Sequence, residues 1–156
     1  MEQNVCCFTG HKQLPTKEIK TIIKRLNDEI DHLIHQGVTN FMAGGALGFD
    51  TIAASLIIAK REMGYPVKLI LVLPCDQQNG LWTPEQTKLY EQIIKEADGL
   101  YYISDEHKAN SLTTRNRFMV NKSDFCICYS TQNEGETFQM VKYAKEKGIN
   151  LIKVSL

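Results

Sequence analysis

Three things are missing from these 156 residues: an excess of one charge, paired cysteines, and a long apolar run. Lys and Arg number 18 and Asp and Glu 18, so the formal net charge is zero. A non-specific nucleic-acid binder neutralises phosphates with a basic excess, and no dense basic run restores one locally. Nucleic acid is therefore not an expected partner. The 5 cysteines are odd in number. Four of them, Cys6, Cys7, Cys126 and Cys128, lie inside apolar runs, as buried, reduced thiols do. No Cys-x-x-Cys occurs, and no histidine stands at ligand spacing from them, so neither a metal centre nor a disulfide framework is expected. No stretch approaches the ~18 apolar residues of a spanning helix, and the first residues lack the basic flank and apolar run of a signal peptide. The expected location is the cytoplasm, with no membrane partner.

What is present is a globular composition, 43% hydrophobic with 10 glycines, at a length that suits one domain over 1–156. Six short apolar runs, at 5–8, 41–43, 69–73, 100–103, 125–129 and 151–154, are continuous rather than alternating, as strands covered on both faces are. Amphipathic stretches separate them. Ile19, Ile22, Ile23, Leu26, Ile30, Leu33 and Ile34 form a stripe at helical spacing that Gly37 ends. A second helix is predicted from about 49 to 63. A third opens at Thr83-Pro84-Glu85-Gln86, with a capping hydroxyl, proline at the first helical position and glutamine three residues on. Helices over 113–122 and 136–147 complete the set. Strand and helix alternating in this way predict an α/β, Rossmann-like three-layer domain: a mostly parallel sheet of about six strands with helices on both faces. The longest irregular segments, 74–82 and 104–112, both follow strands, at the edge where such folds carry function.

Several strand–helix junctions carry chemistry. Thr9-Gly10-His11 follows the first strand, where a glycine lets a ligand approach the backbone and a hydroxyl can donate to phosphate; a plain turn reads equally well. Gly44-Gly45-Ala46-Leu47-Gly48-Phe49-Asp50 follows the second, with three glycines exposing amides at the positive end of a helix, the local design of an anion cradle. It is neither GxGxxG nor a Walker loop, and without a Walker lysine the usual nucleoside triphosphate hydrolysis is not expected. Asp50 reads as a helix cap or as an acceptor from a ligand hydroxyl. After the fifth strand, Gly135 and Thr137 offer donors to a second phosphate, while Glu134 and Glu136 repel an anion unless they meet hydroxyls or a cation. Arg115, beside Asn116, stands near a helix start against the dipole, so a bound anion or a neighbouring acid should compensate it; Arg117 is a weaker candidate. Cys75 has no histidine near it in sequence to activate it as a nucleophile. Trp82 reads as a contact to a base or as packing for its own loop.

Taken together, Thr9-Gly10-His11, Gly44-Gly45-x-x-Gly48-x-Asp50, Pro74-Cys75 with Gln78 and Trp82, Arg115-Asn116 with Met119-Val120, and Gly135-x-Thr137 resemble the YpsA-like branch of the SLOG superfamily. That superfamily also holds the DNA-processing protein DprA and the LOG phosphoribohydrolases. The resemblance spans about 6–154. It implies glycine-rich turns that bind a nucleotide or a derivative related to NAD or ADP-ribose, with no cofactor required that can be read. Two departures stand out: Lys12 replaces the arginine that usually follows Thr-Gly-His, and Glu136 replaces a glycine of the usual Gly-Gly-Thr turn. Three functions follow. The first is a nucleotide sensor or carrier without turnover, because no convincing nucleophile or base stands out. The second is a LOG-like hydrolase of nucleoside monophosphates, with Arg115, Glu134 and Glu136 as its weak catalytic candidates. In that reading Met140 occupies the place of the relatives' glutamate and has no titratable group. The third is single-stranded DNA handling as in DprA, against which the neutral charge speaks. Related domains pair through helix faces, so a homodimer is a mild expectation although no seam is visible.

Overall fold

The structure, a computed structural model, describes residues 4–74, 82–103 and 111–155. Within them six strands, β1 (Val5–Gly10), β2 (Asn40–Ala43), β3 (Lys68–Leu73), β4 (Gly99–Tyr102), β5 (Phe125–Tyr129) and β6 (Asn150–Lys153), alternate with helices α1 (Ile19–His35), α2 (Phe49–Glu62), α3 (Pro84–Glu96), α4 (Ser111–Lys122) and α5 (Glu136–Lys147). One sheet results, in the order β4-β3-β2-β1-β5-β6, and every pairing in it is parallel. This is the three-layer α/β arrangement the alternation predicts.

Side chains of a strand point alternately to opposite faces, which divides the core in two. Cys6 and Phe8 face a cluster built on α1, α2 and α3, while Cys7 faces a cluster built on α4 and α5. Both clusters take buried residues from the central strands, which is why those strands read as unbroken apolar runs. Among the described residues no helix is long and apolar enough to cross a membrane.

Local signals set most element ends. The α1 stripe buries Ile22, Leu26, Ile30 and Leu33. Gly37, at φ 98°, then ends the helix, with its N–H and that of Val38 bonded back to Ile34 and Leu33 at 3.0 Å each. The α3 capping box forms as expected: Gln86 N–H donates to Thr83 Oγ1 at 3.1 Å, and Gln86 Oε1 accepts from Thr83 N–H at 2.9 Å. Within the described residues helix α4 runs from Ser111, two residues before the expected 113. One feature invisible to periodicity joins α1 to α2: Lys60 is buried and pairs with Asp31 at 2.6 Å.

The strand order also makes a crevice. The chain steps outward from β1 through β2 and β3 to β4, then returns to place β5 on the other side of β1. Connections leaving β1 and β5 therefore diverge to opposite faces, and ligands of open α/β sheets settle at the carboxyl ends of such a strand pair.

Removing the α3 cap tests the local reading. Thr83→Ala should lower the unfolding free energy by about 1 kcal/mol in urea titration, with an unchanged m-value.

Candidate functional site

At the carboxyl ends of β1 and β2 the chain packs tightly on itself. A Cβ at Gly10 would run into the Phe49 ring, and one at Gly48 would meet the carbonyls of Lys12 and His11. Gly48 is also at φ 73°, a conformation that costs a side-chain-bearing residue more than glycine. Phe49 N–H donates to His11 O at 3.2 Å. The turn expected to open its backbone to a ligand thus uses two of its close approaches to join β1 to α2.

Asp50 follows on the first turn of α2. Gly48 is the N-cap residue and no side chain caps the helix, so Asp50 does not cap. Its carboxylate is buried instead, 6% exposed. Burial raises its carboxyl to about 6, against the opposing pull of the Arg115 guanidinium, of hydrogen bonds from the Ala46 and Gly44 backbone, and of Lys12. The turn's donors therefore already face an anion, the protein's own. Yet Asp50 Oδ1 is buried without any hydrogen-bond partner, which leaves one acceptor unused.

Arg115 approaches from the opposite layer. It lies on α4 and is 4% exposed. Its Nη1 donates to the Gly44 carbonyl and, at 3.4 Å, to Val72 O; its Nε donates to Asn116 Oδ1 at 2.7 Å. A Cβ on Gly44 would strike this guanidinium and crowd Asp50 Oδ2. Gly44 thus separates a buried cation from a buried carboxylate, and carbonyl oxygens rather than an ion pair supply most of the guanidinium's contacts. Burial lowers the pKa of Arg115, with Asp50, Glu136 and Tyr90 acting in the opposite direction.

Above these groups, between β1 and β5, lies a cavity of about 380 Å³. Its walls bring together Thr9, Gly10, His11, Asp50, Arg115 and Asn116 with Glu134, Gly135, Glu136 and Thr137. Gly135, at φ 95°, is the N-cap of α5, and no side chain caps that helix. The amides of its first turn have no intrahelical acceptor, and the helix dipole adds positive potential there. His11 fastens the crevice from the side. Its Nε2 accepts from Thr131 N–H at 2.9 Å, its ring stands edge-on to Tyr129, and burial lowers its pKa. The bond to Thr131 fixes the neutral tautomer with the proton on Nδ1.

The remaining candidates fall elsewhere. Gly44 is buried, and Gly45 and Gly48 line a neighbouring cavity together with Trp82. Trp82 packs edge-on against Tyr90 with centroids 4.9 Å apart. Arg117 is exposed and stacks over the Tyr143 ring at 5.1 Å. Met140 is buried in the sheet-facing core of α5, so no carboxylate of that turn enters the cavity from its position. Cys75 and Gln78 lie outside the described residues. Burial raises the Cys6 thiol, and that of Cys128 to about 11, which keeps both protonated and unreactive. Among the described residues no group of three or more His, Cys, Asp or Glu is placed to hold a metal ion. Reading the sequence missed Gln13 and Gln132 on the cavity wall; polar loop residues carry no periodic signal that would have marked them.

A family model described as the YspA SLOG family (YpsA) matches residues 6–154. A UPF0398 protein from Halalkalibacterium halodurans is 26% identical over 132 residues, covering 83% of this chain and 70% of the relative. The fold is shared with two DNA processing protein A structures. One, from Helicobacter pylori, for which a single-stranded DNA binding mode is described, is 18% identical with a TM-score of 0.68 over 97% of this chain. The other, from Streptococcus pneumoniae, is 15% identical with a TM-score of 0.70 over 96%. The chain spans 65% and 50% of those two proteins.

The buried carboxylate gives stability a pH signature. A folded-state pKa raised from 3.8 to about 6 means that Asp50 contributes most below pH ~4 and loses that contribution as pH rises through 6, about 3 kcal/mol in all. Asp50→Asn should therefore gain stability relative to the parent chain between pH 4 and pH 7, read from urea unfolding at each pH. A difference that stays flat over that window contradicts the buried, desolvated carboxylate.

Proposed function

The chain belongs to the YpsA SLOG family, and from that membership we propose that it binds a nucleotide or nucleotide derivative, with a phosphate seated at the N-terminus of α5. One observation carries the reading: an uncapped helix N-terminus opens onto the same cavity as the buried Arg115 and the hydroxyls of Thr9 and Thr137. Backbone amides, a helix dipole and a nearby cation are the ordinary components of a phosphate seat. Lys12 supplies a further cation at the rim, exposed to solvent. Glu134 and Glu136 also stand on the rim and suit ribose hydroxyls better than phosphate oxygens. The reading is of a sensor or carrier in the cytoplasm rather than an enzyme, since Met140, at the place of the relatives' glutamate, is buried and has no titratable group.

A second reading takes its support from the DNA processing protein A neighbours, one of which is described as binding single-stranded DNA. Those neighbours remove support from the expectation that nucleic acid is no partner, although this chain's zero net charge favours a small ligand.

Calorimetry distinguishes the two. ADP-ribose, NAD or AMP should release heat with the parent chain. Lys12→Ala and Thr137→Ala, both at solvent-accessible positions, should each weaken binding about tenfold, the worth of a hydrogen bond to a charged group. No heat from any nucleotide, or affinity only for oligonucleotides with a steep salt dependence, contradicts the small-ligand reading.

A further inference from the structure

A second cavity, of about 530 Å³, lies between α2, α3 and the β1–α1 connection, and a phosphate at α5 leaves it without an occupant. Its walls are mostly apolar, with Leu14, Ile52, Leu89 and Ile93 beside the rings of Trp82 and Tyr90. The edge-on contact of those two rings, at 84°, holds the indole in one orientation. The cavities are neighbours: Lys12, Gln13, Ala46 and Asp50 line both. The partition between them therefore contains Asp50, the one side chain among the described residues with a buried oxygen, Oδ1, that has no hydrogen-bond partner. Folded chains rarely leave such an atom unsatisfied unless something else reaches it.

We infer that the apolar cavity is a second subsite for the same ligand, taking a nucleobase, with Asp50 accepting a hydrogen bond from a sugar hydroxyl between base and phosphate. The order of chemistry along the two cavities supports this: an anion seat with amides and a cation, then a lone acceptor, then an apolar recess with aromatic walls. A nucleotide carries phosphate, hydroxyls and a flat ring in that same order. Small-ligand sites commonly combine an apolar lining with a few convergent polar groups, as here. The phosphate half of this assignment rests on the reading given under the proposed function, whereas the base half stands on the second cavity and on Asp50.

Trp82 is the chain's one tryptophan, so its fluorescence reports on this cavity. Adenosine and ADP-ribose should both change its emission, and ribose 5-phosphate and inorganic phosphate should not. Leu89→Glu, at a position 44% exposed, should weaken adenosine and ADP-ribose tenfold or more and leave ribose 5-phosphate unchanged. Dideoxyadenosine, without sugar hydroxyls at positions 2′ and 3′, should bind at least tenfold more weakly than adenosine; equal binding removes the contact to Asp50. If ADP-ribose binds by calorimetry but Trp82 does not respond and Leu89→Glu has no effect, the second subsite is overturned while the phosphate seat stands. If adenosine alters Trp82 emission and no phosphate compound binds, the phosphate seat falls and the subsite stands. No response to adenosine or ADP-ribose overturns the subsite.

Discussion

Asp50 places a carboxylate on the first turn of α2, facing the backbone of Gly44 and Ala46, with the Arg115 guanidinium on the far side of Gly44. Three layers of the protein meet in this arrangement: α2 supplies the anion, α4 the cation, and the end of β2 the carbonyl and the glycine between them. Neither charge is in water, so each depends on the other staying in place. Desolvation dominates the carboxyl and raises it to about 6, while Arg115 and backbone donors only partly offset it. A group with these properties next to a cavity is where binding and proton exchange become linked.

The rest of the crevice follows from topology. Because β5 lies on the opposite side of β1 from β2, the loops after β1 and β5 part over the sheet edge, and the bond from Thr131 to His11 spans the gap they leave. The α2 end of the crevice is closed by the protein: Phe49 fills the space over Gly10, and the β1–α1 backbone lies against Gly48. The α5 end has no such filling, since a Cβ at Gly135 would meet nothing within 4 Å. Two helix N-termini with similar glycine-rich approaches thus differ in use, one directed at an internal carboxylate and the other at a cavity.

Much of the fold was legible in the chain. Continuous apolar runs marked all six strands within a residue or two, and Gly37 and Thr83 to Gln86 marked helix ends through ordinary capping chemistry. Of the candidate site residues, Thr9, Gly10, His11, Asp50, Arg115, Asn116, Gly135 and Thr137 line one cavity, while Gly45, Gly48 and Trp82 line the neighbouring one. What each residue does there was not legible. Three glycines before a helix read the same whether they admit a phosphate or a neighbouring backbone, because both need the same missing Cβ. Phe49, Arg115 and the Lys12 carbonyl make such approaches here, and those contacts arise only once the β1–α1 connection meets α2 and α4 meets the end of β2. Arg115 likewise reads, from its place near a helix start, as a charge that a bound anion or a neighbouring acid compensates, whereas its burial against Gly44 and Val72 depends on residues 71 and 43 positions away.

Amide chemical shifts of the isotopically labelled protein, followed by NMR as inorganic phosphate is added, test most directly which helix end receives the anion. The largest changes should fall on residues 135–138 and 9–13, with the amides of Gly44 and Ala46 shifting little because Asp50 already occupies them. Dominant shifts at Gly44, Ala46 and the start of α2, with the α5 terminus unmoved, would show that the incoming anion displaces Asp50 and would contradict the assignment of the phosphate seat to α5.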